Sequence, residues 1–491
     1  MKTKINPASN GGRGKSRGSF IVLGLFFGLA LVLAAGLRAQ PTDLFPQTGL
    51  RSIFRDDFKF VSLKISPDPL SLPPTRFHNN VRLFDRLEDS FEWRFKLLEA
   101  AQQKIWIETY IFTGNEIGWK AARILAAKQK QGLDVRLLID CYTKFNPRDQ
   151  KLFLWMTHQG IDIRGFEPLY LVANGDNRFP NIDDLNQRFH EKYWNIDDQA
   201  GFMGGTNIAN EYARYGDEPK KKWRDQDILV TGPILEDITR AFGQNYDYFT
   251  HRQEDRFKIN QTSWYGDLYR QARGLAEPVV DIFRQPGQLP LPEFTAANVP
   301  VRFIRQRPRD HEDYCWQAFI HLIETSKKSI LIETAYFVPD DGLMQALIHA
   351  KKRGLDVKLV TNCEETNDVA GIVPLTRWFY QPLMEAGIRI WEWQGDHPGF
   401  GSMHAKCGVF DGQVVEMGSP NLDHRSLEIN AESMLLIDSV EASEFLTRHI
   451  TTVDMKYSLE ITLAQAQYWH KPTKPYDALK LIFGLAIEDW Y

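Results

Sequence analysis

Two short patterns in this chain bring together residues suited to handling a phosphate ester. His190-x-Lys192-x4-Asp197 recurs as His404-x-Lys406-x4-Asp411, and both copies carry a glycine and an asparagine at matching distances: Gly204 and Asn207, then Gly418 and Asn421. Each of the three motif residue types makes up roughly one residue in twenty or fewer, so a second match with the same follow-on is not accidental. An imidazole can attack phosphorus or pass a proton, and an ammonium group beside it offsets charge on phosphoryl oxygens. Two such pairs suit a phosphodiester. One histidine, neutral, attacks phosphorus and forms a phosphohistidine; the other, protonated, gives its proton to the departing alcohol. Lys192 and Lys406 offset phosphoryl charge in the ground and transition states. This chemistry requires no metal and implies no cofactor.

The elements that must position these groups follow from the spacing. On a β-strand residues i and i+2 face the same way, so His190 projects with Lys192 and His404 with Lys406. Asp411-Gly412 reads as a tight hairpin turn between the runs Met403–Phe410 and Gln413–Met417, a turn that needs positive φ. In the first copy the turn is Asp197-Asp198, with aspartate in place of glycine. The six motif residues form the candidate catalytic set, and within it Asp197 and Asp411 read as turn and structural residues, because hairpin tips face away from the emerging His and Lys side chains. Each imidazole also needs its second nitrogen fixed, commonly by a carboxylate. Asp225 and Glu432 are the candidates, with Asp227 a rival to Asp225. Thr206, Asn207, Ser419 and Asn421 carry groups able to hydrogen-bond phosphate oxygens, with strand-end hydrogen bonding as the alternative.

The duplicated motif with its trailing Gly and Asn resembles the signature of the phospholipase D superfamily. The wider context is similar to bacterial cardiolipin synthases: Gly204-Gly205-Thr206-Asn207, Trp223-Arg224-Asp225 and Gly232-Pro233 in the first copy, Gly418-Ser419-Pro420-Asn421-Leu422-Asp423-His424-Arg425-Ser426, Asn430 and Glu432 in the second. The resemblance runs from about Val81 to about Thr452. It implies two α/β sandwich halves about a pseudo-twofold axis, with both His-Lys pairs meeting at their interface. It also implies His190 as nucleophile and His404 as general acid, although the spacing itself treats the two alike. The implied activity is transfer of a phosphatidyl group between anionic glycerophospholipids. Hydrolysis of a phospholipid is the alternative, and an exported nuclease a weaker one.

The repeat reaches beyond the motifs. Ile105–Thr109 matches Ile330–Thr334, Gly132–Leu137 matches Gly354–Leu359, and Gly160–Ile163 matches Gly387–Ile390. These β-branched runs alternate with helical stretches such as Gly118–Gln131 and Asp341–Arg353, so each half reads as an α/β unit. The expected division is a basic N-terminal region (1–18), a membrane signal-anchor or signal peptide (19–38), a tether (39–75), a first domain (76–260), a Pro-containing linker (261–299), a second domain (300–455) and an aromatic-rich tail (456–491).

Phe20–Leu37 is uncharged and apolar and follows Lys2, Lys4, Arg13, Lys15 and Arg17 with no acidic residue. The basic flank predicts a cytoplasmic N-terminus, with both motifs on the outer face of a bacterial cytoplasmic membrane. A cleavable signal peptide competes, with Arg38-Ala39-Gln40 offering the cleavage site. A net charge of −4 over 491 residues argues against a nucleic-acid partner. Lys220-Lys221-Lys222 with Arg224 is a dense basic run that reads as a solvated loop in preference to a lipid-headgroup cradle. Cys141 and Cys363 occupy equivalent positions and read as buried thiols. From Gly160 to His190 is 30 residues, against 17 from Gly387 to His404, so the first half carries an extra loop. That loop, with Phe166, Leu169, Tyr170, Leu171 and Phe179, reads either as an acyl-chain or bilayer contact or as a self-packed segment. The sequence leaves the oligomeric state open.

Overall fold

The computed structural model describes residues 44–59, 72–140, 146–166, 188–216, 222–259, 287–307, 312–369, 371–395 and 401–471. The apolar run 20–37, Cys141, Lys220, Lys221 and the extra loop after Phe166 lie outside the described residues. Among the described residues no helix is long and apolar enough to cross a membrane.

The first half contributes β1 (Arg76–Phe84), β2 (Lys104–Thr109), β3 (Asp134–Asp140), β4 (Asp162–Phe166), β5 (Tyr193–Ile196), β6 (Ala200–Gly204) and β7 (Asp227–Thr231). The second contributes β8 (Ala296–Gln306), β9 (Ser329–Thr334), β10 (Phe337–Val338), β11 (Asp356–Asn362), β12 (Arg389–Trp393), β13 (Lys406–Phe410), β14 (Val414–Gly418), β15 (Leu422–Asp423), β16 (Glu432–Asp438) and β17 (Ser458–Glu460). Strand β8 thus begins inside the stretch expected to be linker.

Two sandwich halves about a pseudo-twofold axis were the expectation; fifteen of these strands instead run on as one sheet across both halves, while β10 and β15 pair apart from it. Outward from its centre the first half runs β1-β7-β6-β5-β2-β3-β4 and the second β8-β16-β14-β13-β9-β11-β12, with β17 added at the far edge. Equivalent strands therefore stand at equal steps from the seam, where β1 and β8 pair antiparallel. Antiparallel pairing of equivalent strands is what a local twofold through the seam produces. Its physical reason is that β1 and β8 would each be the exposed edge of a half, and each satisfies the other's free backbone groups.

In each half three adjacent strands, β2-β3-β4 and β9-β11-β12, are parallel, so a crossover helix must join the first two. Glu116–Lys130 buries Ile117, Ala121, Ala122 and Leu125 and is capped by Asn115, whose side chain accepts from Gly118 N at 3.2 Å. Asp341–Lys352 buries Leu343, Met344, Leu347 and Ala350, and Asp340 caps it from Leu343 N at 2.7 Å. Gly132 and Gly354 close these helices at φ 89° and 93°, a left-handed conformation that favours glycine. Both N-termini therefore lie at the carboxyl ends of the parallel strands, where α/β folds collect their binding groups.

One core is shared by the halves. Val81, Leu83, Val301, Phe303, Ala405 and Leu435 on the seam strands and their neighbours pack against Ile238, Phe242 and Phe249 of helix Ile234–Ile259 and Ala442 and Leu446 of helix Val440–His449. At roughly 1.5–3 kcal/mol for each fully buried large side chain, this cluster alone ties the halves together strongly. Part of the tail also packs on the body: β17 pairs with β12, and His470 stacks on Trp378 with ring centroids 4.0 Å apart.

Candidate active site

The two motif hairpins β5–β6 and β13–β14 are alike in detail. Asp197 and Asp198 both have φ 54°, and Asp411 and Gly412 have φ 56° and 65°, the pattern of a type I′ turn, so two aspartates adopt what Asp-Gly adopts. The Asp197 carboxylate accepts from the backbone N–H groups of Gln102, Gln103 and Lys104 at 2.7, 2.8 and 2.8 Å. Asp411 accepts from Lys327, Lys328 and Ser329 at 2.9, 2.7 and 3.1 Å. Each motif aspartate thus clamps the start of the adjacent central strand, β2 or β9, at the hairpin tip.

The histidines are not on the ladder strands themselves. His190 and Lys192 precede β5, and His404 precedes β13, whose first residue is Lys406. Their lead-in segments pair across the seam instead. His190 N donates to Ala431 O at 2.9 Å, and Ala431 N donates to Arg188 O at 2.8 Å. In the mirror position His404 N donates to Arg224 O at 2.6 Å, and Arg224 N donates to Ser402 O at 2.7 Å. Ala431 and Arg224 immediately precede Glu432 and Asp225, so this register crosses the carboxylates over. His190 Nδ1 meets Glu432 Oε1 and Oε2 at 2.9 and 3.0 Å, and His404 Nδ1 meets Asp225 Oδ2 at 3.0 Å. Each half orients the other half's imidazole. With Nδ1 so engaged, Nε2 is left for substrate. Asp227, the rival, is instead tied to Ser90 and to Arg94 at 2.7 Å.

All of these groups are buried. Lys192 Nζ donates to His190 O and Lys406 Nζ to His404 O, at 2.5 and 2.6 Å, so each lysine is fixed beside its own histidine. Burial draws Lys192 down to about 7 and Lys406 to about 8, against the opposite pull of carboxylates such as Glu432 and Asp225. An anion entering between two such ammonium groups relieves both the burial penalty and their mutual repulsion.

The two His-carboxylate pairs differ. Burial draws His190 down to about 4 and also lowers His404 strongly. Glu432 stays below its usual range because His190, Lys192 and the Ser419 hydroxyl outweigh its burial. Asp225 goes the other way, pushed by burial to about 7, with the Gln226 backbone N–H as a further donor at 2.7 Å. At the position matching Ser419 stands Gly205, where a Cβ would lie 3.0 Å from Asp225 Oδ2 and 3.2 Å from Lys406 Cδ. Near neutrality the Glu432–His190 pair therefore holds no extra proton, whereas the Asp225–His404 pair titrates.

The four supporting candidates separate. Ser419 reaches Glu432, as above. Asn207 is committed to structure: its Oδ1 accepts from Ile111 N at 2.9 Å and its Nδ2 donates to Tyr212 Oη at 2.8 Å. Asn421 Nδ2 reaches the hydroxyl of Ser426, likewise five residues on, at 3.4 Å. Its Oδ1 and Thr206 Oγ1 are buried with no hydrogen-bond partner among the described residues. The sequence reading missed the aromatic walls: Tyr110 stands edge-on to His190 at 4.9 Å, and Tyr212, Trp223 and Tyr336 surround His404 at 5.2, 5.4 and 6.4 Å. Trp223, beside Asp225, was the one visible signal for them.

A palindromic sheet carrying two His-Lys pairs at its seam defines a duplicated phospholipase D-like α/β protein. The chain belongs to the family described as cardiolipin synthase, phospholipase D-like domain, whose model matches residues 95–231 and 319–453, together more than half of the chain, and it is an enzyme of that type. It is 26% identical over 392 residues to cardiolipin synthase A of Pseudomonas aeruginosa strain LESB58, covering 79% of this chain and 69% of that one. It is 29% identical over 346 residues to cardiolipin synthase of Geobacillus thermodenitrificans strain NG80-2, covering 70% of this chain and 60% of that one. The crystal structure of phosphatidylserine synthase from Haemophilus influenzae Rd KW20 shares the fold, with a TM-score of 0.62 at 15% identity, covering 86% of this chain and 98% of that one.

Proposed function

We propose that this enzyme transfers a phosphatidyl group from one phospholipid to a hydroxyl of a second, as a cardiolipin synthase does, through a phosphohistidine. The observation that carries the proposal is the unequal pair of crossed carboxylates around two buried lysines. His190, kept neutral and oriented by an ionised Glu432, attacks phosphorus through Nε2. The phosphorus–oxygen bond to the departing alcohol breaks, and His404 supplies the proton that this alkoxide takes up. Asp225, titrating with His404, keeps that proton available near neutral pH. Lys192 and Lys406 sit where they offset phosphoryl charge as it develops. The second alcohol then gives its proton to His404, its oxygen attacks phosphorus, and the bond to His190 breaks. Asp197 and Asp411 act at a distance, by pinning the hairpins that carry the motifs.

The uncharged run Phe20–Leu37 after five basic residues supports a membrane anchor with the site on the outer face, which reporter fusions before and after it test. The reaction itself is tested by incubating the purified full-length protein with labelled phosphatidylglycerol in mixed micelles. Cardiolipin with released glycerol is the expected product. Phosphatidic acid as the sole lipid product makes the enzyme a hydrolase.

A further inference from the structure

On the reading just given, the departing or incoming alcohol lies next to His404, so the groups beside that ring must meet its headgroup. Three stand there. Tyr336, edge-on to His404, donates its hydroxyl to Asp368 Oδ1 and Oδ2 at 2.9 and 3.0 Å. Ser402, two residues before His404, donates to Asp368 Oδ1 at 3.3 Å. Lys406 Nζ lies 6.0 Å from the Tyr336 ring centroid, and the Asp368 charge is felt by both His404 and Lys406. Asp368 itself is exposed.

We infer that Asp368, Tyr336 and Ser402 form an alcohol-side subsite that takes a headgroup rich in hydroxyls, as glycerol is. A carboxylate has about four acceptor positions, so two hydroxyl partners leave it room for more donors. It repels a second phosphate or carboxylate at that point. The neighbouring lysines disfavour an ammonium headgroup. A vicinal diol brings neutral O–H donors, one to react at His404 and one to bind Asp368.

The test is a competition with full-length protein and a phospholipid donor in mixed micelles, given radiolabelled glycerol, ethanol and ethanolamine at equal concentrations. The wild type should incorporate glycerol in preference to both. Asp368→Ala should lower the glycerol-to-ethanol ratio by about tenfold or more, the usual effect of losing a hydrogen bond to a charged group. Asp368→Asn, which keeps one acceptor, should fall between. A ratio unchanged within about twofold in Asp368→Ala overturns the inference, as does a wild type that prefers ethanolamine. If the wild type labels lipid with no alcohol and only releases phosphatidic acid, the transferase reading fails and the subsite falls with it.

Discussion

The two halves of this protein share a backbone plan almost strand for strand, yet the carboxylates behind their histidines are held differently. Glu432 receives the Ser419 hydroxyl and sits beside Asn430 Nδ2 at 3.4 Å, and it stays ionised. Asp225 has Gly205 at the matching place and is pushed by burial to about 7. Full burial penalises both charges, and the number of donors decides which one survives it. The fold supplies the symmetry of a phosphate clamp. A few polar atoms make its two sides unequal, which the motif spacing could not do, and the proposed division into nucleophile and acid rests on that inequality.

The sharpest way to break the comparison is at the histidines. His190→Ala and His404→Ala should each reduce turnover by ~10³ or more, and the double variant should be little worse, because the two act as a unit. With an activated leaving group such as p-nitrophenol, His404→Ala should recover most of its first step and trap label on His190. Equal recovery in His190→Ala would mean that the halves are interchangeable.

Next come the carboxylates. Asp225→Asn should slow transfer by ~10² and remove a titration near pH 7 from the rate profile. In the wild type the first step should slow as pH rises through about 7, since the Asp225–His404 pair then loses its proton. The sign for stability follows the same way: a carboxyl raised from 3.8 to about 7 stabilises the fold fully below pH 3.8 and loses that contribution as pH rises through 7. Thermal unfolding of Asp225→Asn should lack this dependence. Glu432→Gln should show no loss of a neutral titration, because Glu432 is already ionised there.

Ser419→Ala makes the Glu432 side resemble the Asp225 side. Removing a donor to a charged group is worth ~1.5–3 kcal/mol, so about a tenfold loss of rate is expected. Glu432 should then protonate at higher pH, moving the acid limb of the rate profile upward. An unmoved limb would show that Ser419 does not set the difference.

The smallest effect on rate should come from the hairpin clamps. Asp197→Ala and Asp411→Ala each release backbone donors at a strand start and should lower stability by ~2 kcal/mol, read as a drop in melting temperature, with turnover changed less than about fivefold. Asp197 is buried and Asp411 partly exposed, so the first should lose more.

Much of this was legible in the residues. The motif repeat, the hairpin turns and the turn positions of Asp197 and Asp411 follow from spacing and turn chemistry alone, since they involve neighbours along the chain; the clamping of β2 and β9 by those carboxylates, across more than 80 residues, does not. Asp225 and Glu432 could be named as orienters. Their crossing could not, because it depends on Ala431 pairing with His190 and Arg224 with His404 across more than 170 residues. The single continuous sheet escaped for the same reason: nothing local to β1 or β8 says that each finishes the other's edge. Tyr212 and Tyr336 went unread because an aromatic beside a motif is more often core than wall.

The crossing over of carboxylates has a consequence for how such a protein can change. In a homodimer built on the same seam, every substitution would be written twice, once on each side of the phosphate, and the two histidines would be obliged to remain equals. Joining the copies in one chain lifts that obligation. Ser419 and Gly205, or Glu432 and Asp225, can then drift apart one at a time while each half still depends on the other for its imidazole. Fusion thereby allows division of labour and forbids separation.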